Sequence, residues 1–371
     1  FGDSLTSGHE PGLAPEAYYG FADRLYEQSL FYGRTLFANY GINGLRTEGL
    51  REYVRAIGEN RPVSAEQIQP GLKDPRAAQR GANVPQAREH VLKATLITIT
   101  IGGNDFMELL LSAPSWPQDK IDEVVEEKLQ QYTDNMPAVL DELTRLNPDA
   151  QIVIADQYFP IPSFLRSYYE KLSAIKDLLT SRAEQLAQSY AEQGYRVTAV
   201  RVSDAFIGNE GAYTYILQRD IHPNQRGYEA MARAFAEAIW GEYRQISPRE
   251  PGVPLTVVVD GKELNTPYKP VVVQGRTFVA IKDIVLAMGA TLHWDAKTET
   301  ATILYNGIES KLKIGSSTMY VNKQSVAVDV PAFLHTVGKE KKTYVPLAVL
   351  AQGLGFDVQY RSKIRTVFVN R

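Results

Sequence analysis

Short apolar runs alternate with stretches of helical periodicity through residues 1–246. Three of these runs, residues 96–101, 151–155 and 196–200, are typical of buried strands, and each follows a helix-like stretch. This alternation predicts an α/β domain built on a parallel sheet. A last helix is predicted over residues 225–243, because apolar side chains recur there on one helical face.

The pattern changes at residues 247–254, where three prolines and a glycine predict a linker. Beyond it, short β-branched runs separated by turns predict a smaller, β-rich α+β domain over residues 255–371. Arg-Thr-Phe-Val at residues 276–279 recurs as Lys-Thr-Tyr-Val at residues 342–345. Each copy predicts a strand, a helix and a hairpin. We therefore expect a C-terminal domain of two repeats that bury their apolar faces against each other.

Residues 59–90 interrupt the alternating pattern with a polar stretch that contains four prolines. Long polar connections of this kind usually run over the surface of a domain. We interpret the stretch as a surface excursion, and the alternative is a flap over the active site.

Composition narrows the classes of function. The chain has no cysteine, which excludes thiol nucleophiles, disulfides and cysteine-ligated metal sites. No two of its five histidines lie three or four residues apart, so the sequence predicts no local metal motif and no cofactor. Residues 251–371 hold 15 Lys and Arg against 9 Asp and Glu, whereas residues 1–250 hold 25 against 34. Neither part has the dense basic clusters that a nucleic-acid partner requires.

The start of the chain lacks an apolar segment. The sequence opens directly on Phe-Gly-Asp-Ser, with no apolar strand and no signal peptide before these residues. It also contains no run of about 18 apolar residues, which a transmembrane helix would require. We expect that upstream sequence is missing.

Ser4, in a Gly-Asp-Ser-Leu turn, is the first candidate for chemistry. A serine hydroxyl becomes a good nucleophile only beside a base, usually histidine, and with donors for the oxyanion that forms. Three further segments contain suitable groups, and we expect each in a loop at the carboxyl ends of the strands, where open α/β sheets place their sites. These segments are Asn-Tyr-Gly-Ile-Asn-Gly at 39–44, Gly-Gly-Asn-Asp at 102–105 and Asp-Ile-His-Pro at 220–223.

With these four motifs in order, residues 1–243 resemble the GDSL (or SGNH) hydrolase family. The resemblance implies a three-layer α/β/α fold and carboxylic ester hydrolysis through an acyl-enzyme. It assigns Ser4 as the nucleophile and His222 as its base. It also implies an oxyanion hole made by the N–H of Ser4, Gly44 and Asn104.

The acid of the triad departs from the family pattern. The family usually has an aspartate three residues before the histidine, but that position is Arg219 here, and Asp220 lies two residues before His222. In an extended loop, side chains two residues apart point the same way, which favours Asp220 as the triad acid. The alternative is that Asp220 is a solvated turn residue and a backbone carbonyl orients His222.

Other residues near the motifs receive simpler interpretations. Phe106 and Tyr158 follow strand ends and are candidates for substrate-binding walls of an acyl pocket. The remaining histidines are interpreted as structural or surface residues: His9, His90, His293 and His335.

Residues 255–371 resemble a second family, the copper amine oxidase N-terminal-like stalk domains of secreted and surface proteins of Gram-positive bacteria. The matching residues are Gly275–Val279, Gly289, Trp294, Thr343–Leu347 and Gly355. No copper-ligand cluster accompanies them. The resemblance implies a secreted or cell-surface location, with attachment through this domain.

The leading hypothesis is an extracellular serine esterase that cleaves short- to medium-chain acyl esters. The substrate is then a small-molecule, lipid or glycan ester. A lysophospholipase and a carbohydrate O-deacetylase are the alternatives within enzymes. An inactive surface-binding protein is the alternative of another class.

Overall fold

The structure, a computed structural model, describes residues 1–112, 116–160 and 166–371. The chain forms two compact units. The first comprises residues 1–25 and 37–243, and the second comprises residues 26–36 and 244–371. Among the described helices, none is both long and apolar enough to cross a membrane.

A parallel three-stranded sheet forms the centre of the first unit. Its strands are β1 (Leu96–Thr100), β2 (Gln151–Ala155) and β3 (Val197–Val200), in the spatial order β1-β2-β3. Parallel bridges from Gly2 to Thr100 and from Gly2 to Gly41 extend this sheet beyond β1. The three strands confirm the sequence prediction to within a residue or two at their ends.

Helices cover both faces of this sheet. Along β2, Ile152 and Ile154 belong to one apolar cluster, whereas Val153 and Ala155 belong to another on the opposite face. A strand buried on both faces requires a helical layer on each side, so the predicted α/β/α architecture is confirmed. The helices that begin in or belong to this unit are α1 (Ser4–Ser7), α2 (Phe21–Ser29), α3 (Thr47–Glu59), α4 (Ala65–Ile68), α5 (Arg76–Ala82), α6 (Val84–Lys93), α7 (Met107–Ser112), α8 (Gln118–Leu146), α9 (Arg166–Glu192), α10 (Glu210–Tyr213) and α11 (Gln225–Trp240).

Residues 59–90 are more regular than the sequence analysis predicts, because they contain α4, α5 and most of α6. Ser64 begins α4 with a capping box, in which its side chain and that of Gln67 each accept a backbone N–H. Val84, Ala87 and Val91 on α6 are buried in the core of the first unit. Pro75 and Pro85 lie at the starts of α5 and α6, where a missing N–H costs little. A prediction based on helix-breaking residues alone therefore misses these two helices.

The second unit contains the predicted pair of repeats. The first copy is β7 (Arg276–Ala280), α12 (Ile281–Ala287) and the hairpin of β8 (Thr291–Asp295) and β9 (Thr300–Tyr305). The second copy is β14 (Glu340–Pro346), α13 (Leu347–Gly353) and the hairpin of β15 (Asp357–Arg361) and β16 (Thr366–Asn370). One apolar cluster holds residues of both helices, so the two repeats share a core. The other strands are β4 (Thr256–Val259), β5 (Lys262–Glu263), β6 (Val271–Val273), β10 (Ile308–Lys313), β11 (Thr318–Val321), β12 (Gln324–Ala327) and β13 (Phe333–Val337).

The segment of residues 26–36 belongs to the second unit through contacts that are distant in sequence. The rings of Phe31 and Phe368 meet edge to face at 5.0 Å, and Leu30 shares a small apolar cluster with them and with Val258. The Asn370 side-chain amide donates to the Leu30 carbonyl at 2.9 Å. No local pattern in the sequence separates this segment from residues 1–246. The limits of the two domains and of the linker, which place residues 26–36 in the first domain, stay a prediction.

Candidate active site

The backbone at the start of the chain places Ser4 at the carboxyl edge of the sheet. The Asp3 N–H donates to the Thr100 carbonyl at 3.0 Å, so residues 1–3 run alongside β1. Gly2 has φ +139°, and a Cβ there would lie 2.0 Å from the Thr100 carbonyl oxygen. Only glycine fits this close approach. The chain then turns into α1, which begins at Ser4.

Ser4, His222 and Asp220 form a continuous chain of hydrogen bonds. The Ser4 Oγ lies 2.8 Å from His222 Nε2, and His222 Nδ1 lies 2.6 Å from Asp220 Oδ1. A carboxylate only accepts, so Nδ1 carries the proton and Nε2 presents its lone pair to the hydroxyl. This is the arrangement in which an imidazole can remove the proton of a serine.

Asp220 reaches His222 by a tight turn rather than by an extended loop. Its Oδ1 accepts the backbone N–H of His222 at 2.9 Å as well as the ring N–H. An aspartate that binds the backbone two residues on forms such a turn locally. Arg219, at the position where the family usually has its acid, has a left-handed backbone with φ +64° and an exposed side chain.

Contacts from two other segments hold the His222 loop in place. The Tyr215 N–H donates to the His222 carbonyl at 2.9 Å, and the Tyr215 hydroxyl donates to Oε2 of the buried Glu10 at 2.8 Å. The Tyr158 hydroxyl donates to the Ile221 carbonyl at 2.9 Å. The histidine therefore lies on a loop that is fixed from both sides.

Potential oxyanion donors come from three segments. Asn104 lies in a 3₁₀ turn directly after β1, and its side-chain amide donates to the Leu45 carbonyl at 2.9 Å. This bond brings Asn104 to the loop that contains Gly44, whose φ is +80°. Within the described parts of the chain, the N–H groups of Ser4 and Gly44 have no acceptor. They are therefore available to a developing negative charge.

The geometry agrees with the comparison against protein families. The model described as "GDSL-like Lipase/Acylhydrolase family" matches residues 1–230, more than half of the chain. The chain belongs to this family. Residues 1–230 are accordingly a GDSL-like carboxylic ester hydrolase domain. The model "Copper amine oxidase N-terminal domain" matches residues 258–369, which agrees with the resemblance found in the sequence.

Individual relatives are distant. The chain is 23% identical over 201 residues to "Uncharacterized protein YpmR" of Bacillus subtilis (strain 168), covering 54% of this chain and 65% of that relative. A lipase, Lip_vut3 from a goat rumen metagenome, has a TM-score of 0.43 at 20% identity over 66% of this chain and 97% of its own. The acetylxylan esterase Axe2 of Geobacillus stearothermophilus has a TM-score of 0.38 at 17% identity, over 66% and 94%.

The two aromatic candidates for an acyl pocket lie inside the GDSL-like domain. Phe106 is completely buried and packs against Phe159 at a ring distance of 6.4 Å. Tyr158 is buried, stacks on Phe206 at 4.1 Å and uses its hydroxyl to hold the His222 loop. Neither side chain has much surface open to solvent, and their predicted contact with substrate stays a prediction.

His9 lies beside His222, although the sequence predicts a structural or surface role for it. The His9 ring contacts the His222 ring at a centroid distance of 4.4 Å, and its Nδ1 lies 2.6 Å from the Tyr18 hydroxyl. Burial lowers the pKa of His9, and the positive charge that His222 carries when it is protonated adds to this effect. The available signal was its position in the chain, because a residue that closely follows Ser4 must lie near it after a short helix.

Asp3, beside the serine, gives the GDSL-like domain a testable pH dependence. Its carboxylate accepts the Leu5 N–H and the Thr100 hydroxyl, and burial raises its pKa to about 7 from an unfolded value near 3.8. The folded protein therefore holds a proton between about pH 4 and 7 that the unfolded chain has lost. The contribution of this bound proton to the free energy of unfolding is complete below about pH 4 and is lost as the pH rises through 7.

We expect the Asp3→Asn variant to lack this loss, because its side chain does not ionise. The free energy of unfolding of the wild type minus that of Asp3→Asn should decrease from pH 4 to pH 8, as measured by urea unfolding at several pH values. Other titrating groups are shared and cancel in the difference. A difference that is constant with pH would contradict the prediction.

Proposed function

We propose that the chain is a serine esterase that cleaves short- to medium-chain acyl esters through an acyl-enzyme. The observation that carries this proposal is the pair of bonds from Ser4 Oγ to His222 Nε2 at 2.8 Å and from His222 Nδ1 to Asp220 Oδ1 at 2.6 Å. Together with membership of the GDSL-like family, it supports Ser4 as nucleophile, His222 as general base and Asp220 as the acid of the triad.

In the proposed reaction, Ser4 Oγ attacks the ester carbonyl carbon while His222 Nε2 takes the hydroxyl proton. The carbonyl oxygen becomes an oxyanion that accepts hydrogen bonds from the N–H groups of Ser4 and Gly44 and from the Asn104 amide. As the alcohol leaves, His222 returns the proton to its oxygen. Water then attacks the acyl-enzyme by the same route, releasing the acid and restoring Ser4. Asp220 stabilises the imidazolium that forms in each half of the reaction.

The surroundings of Ser4 support a small acyl group. Ser4 is only 7% exposed. The nearby Asn43 side chain binds the Ser7 hydroxyl and the Arg76 guanidinium, so this side of the site is polar rather than apolar. A long acyl chain requires extended apolar surface, which polar groups of this kind do not provide. A carbohydrate O-deacetylase is the second candidate, because the same polar groups suit a hydroxylated alcohol.

A panel of esters tests the proposed acyl length. We expect kcat/KM to be highest for p-nitrophenyl acetate or butyrate and to fall at least tenfold for the dodecanoate. Acetylated xylooligosaccharides and a lysophosphatidylcholine complete the panel. Preference for the dodecanoate or for the lysophospholipid would contradict the short- to medium-chain assignment.

The Asn104→Ala variant tests the oxyanion hole. We expect kcat to fall by roughly 10²–10³-fold with little change in KM, the usual effect of removing one oxyanion donor. Steady-state kinetics on p-nitrophenyl butyrate measure both constants. Asn209→Ala is the matched control, because Asn209 is exposed and its side chain bonds, within the described residues, only to the nearby Ala205 carbonyl. An effect confined to KM would instead indicate that Asn104 binds the substrate and does not stabilise the oxyanion.

We further propose that the protein acts outside the cell and that residues 255–371 attach it to the cell surface. The match of residues 258–369 to the copper amine oxidase N-terminal domain supports this location. The excess of Lys and Arg over Asp and Glu beyond residue 250 suits an anionic cell wall. Immunodetection of the full chain in cell fractions should find it in the wall or the medium. A purely cytosolic protein would contradict the proposal.

A further inference from the structure

The fold brings His9 to two metal-ligating residues, Asp220 and His222, that lie more than 200 residues later in the sequence. One ring nitrogen of His9, one of His222 and a carboxylate oxygen of Asp220 lie within 4.8 Å of one another. Each of these residues is partly exposed, with 18% and 30% of the His222 and Asp220 side chains accessible. An ion can therefore reach the cluster from solvent.

We propose that His9, Asp220 and His222 form a reversible inhibitory site for Zn²⁺ or a similar divalent transition-metal ion. Two imidazoles and a carboxylate form a donor set that zinc accepts, with water in the fourth position. The set suits borderline-soft ions and does not suit Mg²⁺ or Ca²⁺, which prefer oxygen donors. The inhibitory effect, unlike the binding, rests on the proposed role of His222 as the base.

Asp220 retains an oxygen for the ion. Its Oδ1 accepts both the backbone and the ring N–H of His222. Within the residues that the structure describes, Oδ2 accepts no hydrogen bond. This oxygen can therefore coordinate an ion without breaking a hydrogen bond.

His9 is held beside the triad by neighbours that can adjust to an ion. The Arg76 guanidinium only donates, so the Asn43 oxygen faces Arg76 and the Asn43 amide nitrogen faces His9 Nδ1 at 3.2 Å. The Tyr18 hydroxyl also contacts this nitrogen and can either donate or accept. Moving the His9 proton to Nδ1, which leaves Nε2 able to bind an ion, reverses the bond to Tyr18 and breaks only the long contact with Asn43.

Binding of the ion must compete with the catalytic hydrogen bonds. Zinc holds its ligands at bonds of about 2 Å, so tetrahedral donors lie roughly 3.3 Å apart, closer than the 4.8 Å span of the cluster. Closing the cluster moves the His222 ring, which already has one nitrogen on Ser4 and the other on Asp220. Coordination of either nitrogen removes one of these bonds, so the metal-bound histidine no longer serves as a base.

Direct binding tests the site without reference to activity. We expect the Ser4→Ala protein to bind one Zn²⁺ per chain in equilibrium dialysis. The double variant Ser4→Ala/His9→Phe should bind at least tenfold more weakly, because phenylalanine keeps a ring against His222 without a ligand nitrogen. His293→Phe in the Ser4→Ala background is the control, since His293 is an exposed histidine of the second unit. Equal zinc affinity with and without His9 would overturn the proposal.

Inhibition is measured on proteins that contain Ser4. Micromolar zinc should lower wild-type activity at least tenfold, EDTA should restore it, and Mg²⁺ should have no effect. Each variant is compared with itself in the absence of zinc. His9→Phe should lose less than half of its activity in zinc, and His9→Gln provides a second variant in case the first folds poorly. Zinc that binds through His9 without inhibiting would overturn the inhibitory role, whereas an inactive wild type that still binds zinc would refute only the proposed function.

Discussion

Replacement of Ser4 by alanine is expected to lower kcat for ester hydrolysis by roughly 10⁵–10⁶-fold, the scale seen when a nucleophilic serine is removed. Without the hydroxyl, His222 has no proton to take and no acyl-enzyme can form. Initial rates with p-nitrophenyl butyrate measure the loss. Thermal unfolding should show that the variant remains folded, because Ser4 Oγ bonds to His222 and makes no other hydrogen bond within the described residues.

Ser7→Ala is the matched control for Ser4→Ala. Ser7 lies on the same short helix, but its hydroxyl contacts the Ser4 carbonyl and the Asn43 side chain rather than His222. We expect its kcat to stay within about tenfold of the wild type. Retention of a tenth or more of the activity in Ser4→Ala would contradict the assignment of the nucleophile.

The Asp220→Asn variant is expected to lower kcat by roughly 10²–10⁴-fold, the upper value being the effect of the equivalent change in a well-studied triad, where the histidine adopts the wrong tautomer. Because Oδ1 accepts both the backbone and the ring N–H of His222, an asparagine oxygen at this position keeps the turn and the tautomer and removes only the negative charge. If the amide turns its nitrogen towards His222 instead, both bonds break and the tautomer with the proton on Nε2 is favoured, which cannot act as a base. The imidazolium formed during acylation also loses its nearest counter-charge.

Arg219→Gln is the control for a charge change in the same loop. Arg219 is exposed and lies at the position where the family usually has the acid. We expect its kcat to stay within about threefold of the wild type. A loss below about tenfold in Asp220→Asn would favour the other interpretation, a Ser4–His222 dyad whose histidine needs no carboxylate.

The parts of the fold that follow local rules were predictable. Residues 96–101 and 151–155 are apolar runs between helical stretches, and a buried parallel strand is the structure that satisfies such a run. The two repeats were predictable because the same residues recur at a fixed distance. The order of the four motifs placed Ser4, Asn104 and His222 at one edge of the sheet, since the carboxyl ends of parallel strands meet there.

The remaining features depend on contacts between distant residues. His9 contacts His222 because the loop after α1 and the loop before α11 converge. The spacing of histidines in the sequence does not reveal this contact. Residues 26–36 join the second unit through Leu30 and Phe31, whose partners lie more than 200 residues later. The prolines of residues 59–90 suggest a loop, although Pro75 and Pro85 lie at the starts of helices. In each case tertiary contacts decide what local patterns leave open.

Covalent labelling with a fluorophosphonate, followed by mass spectrometry of the peptides, tests the central proposal most directly. Such a probe reacts with a serine only when a base activates it. We expect one adduct per chain, on the peptide that contains Ser4, with concurrent loss of esterase activity and no adduct in the His222→Ala variant. An active protein that takes no label, or a label on another serine, would contradict the proposed catalytic serine, and an inactive, unlabelled protein would favour the surface-binding alternative.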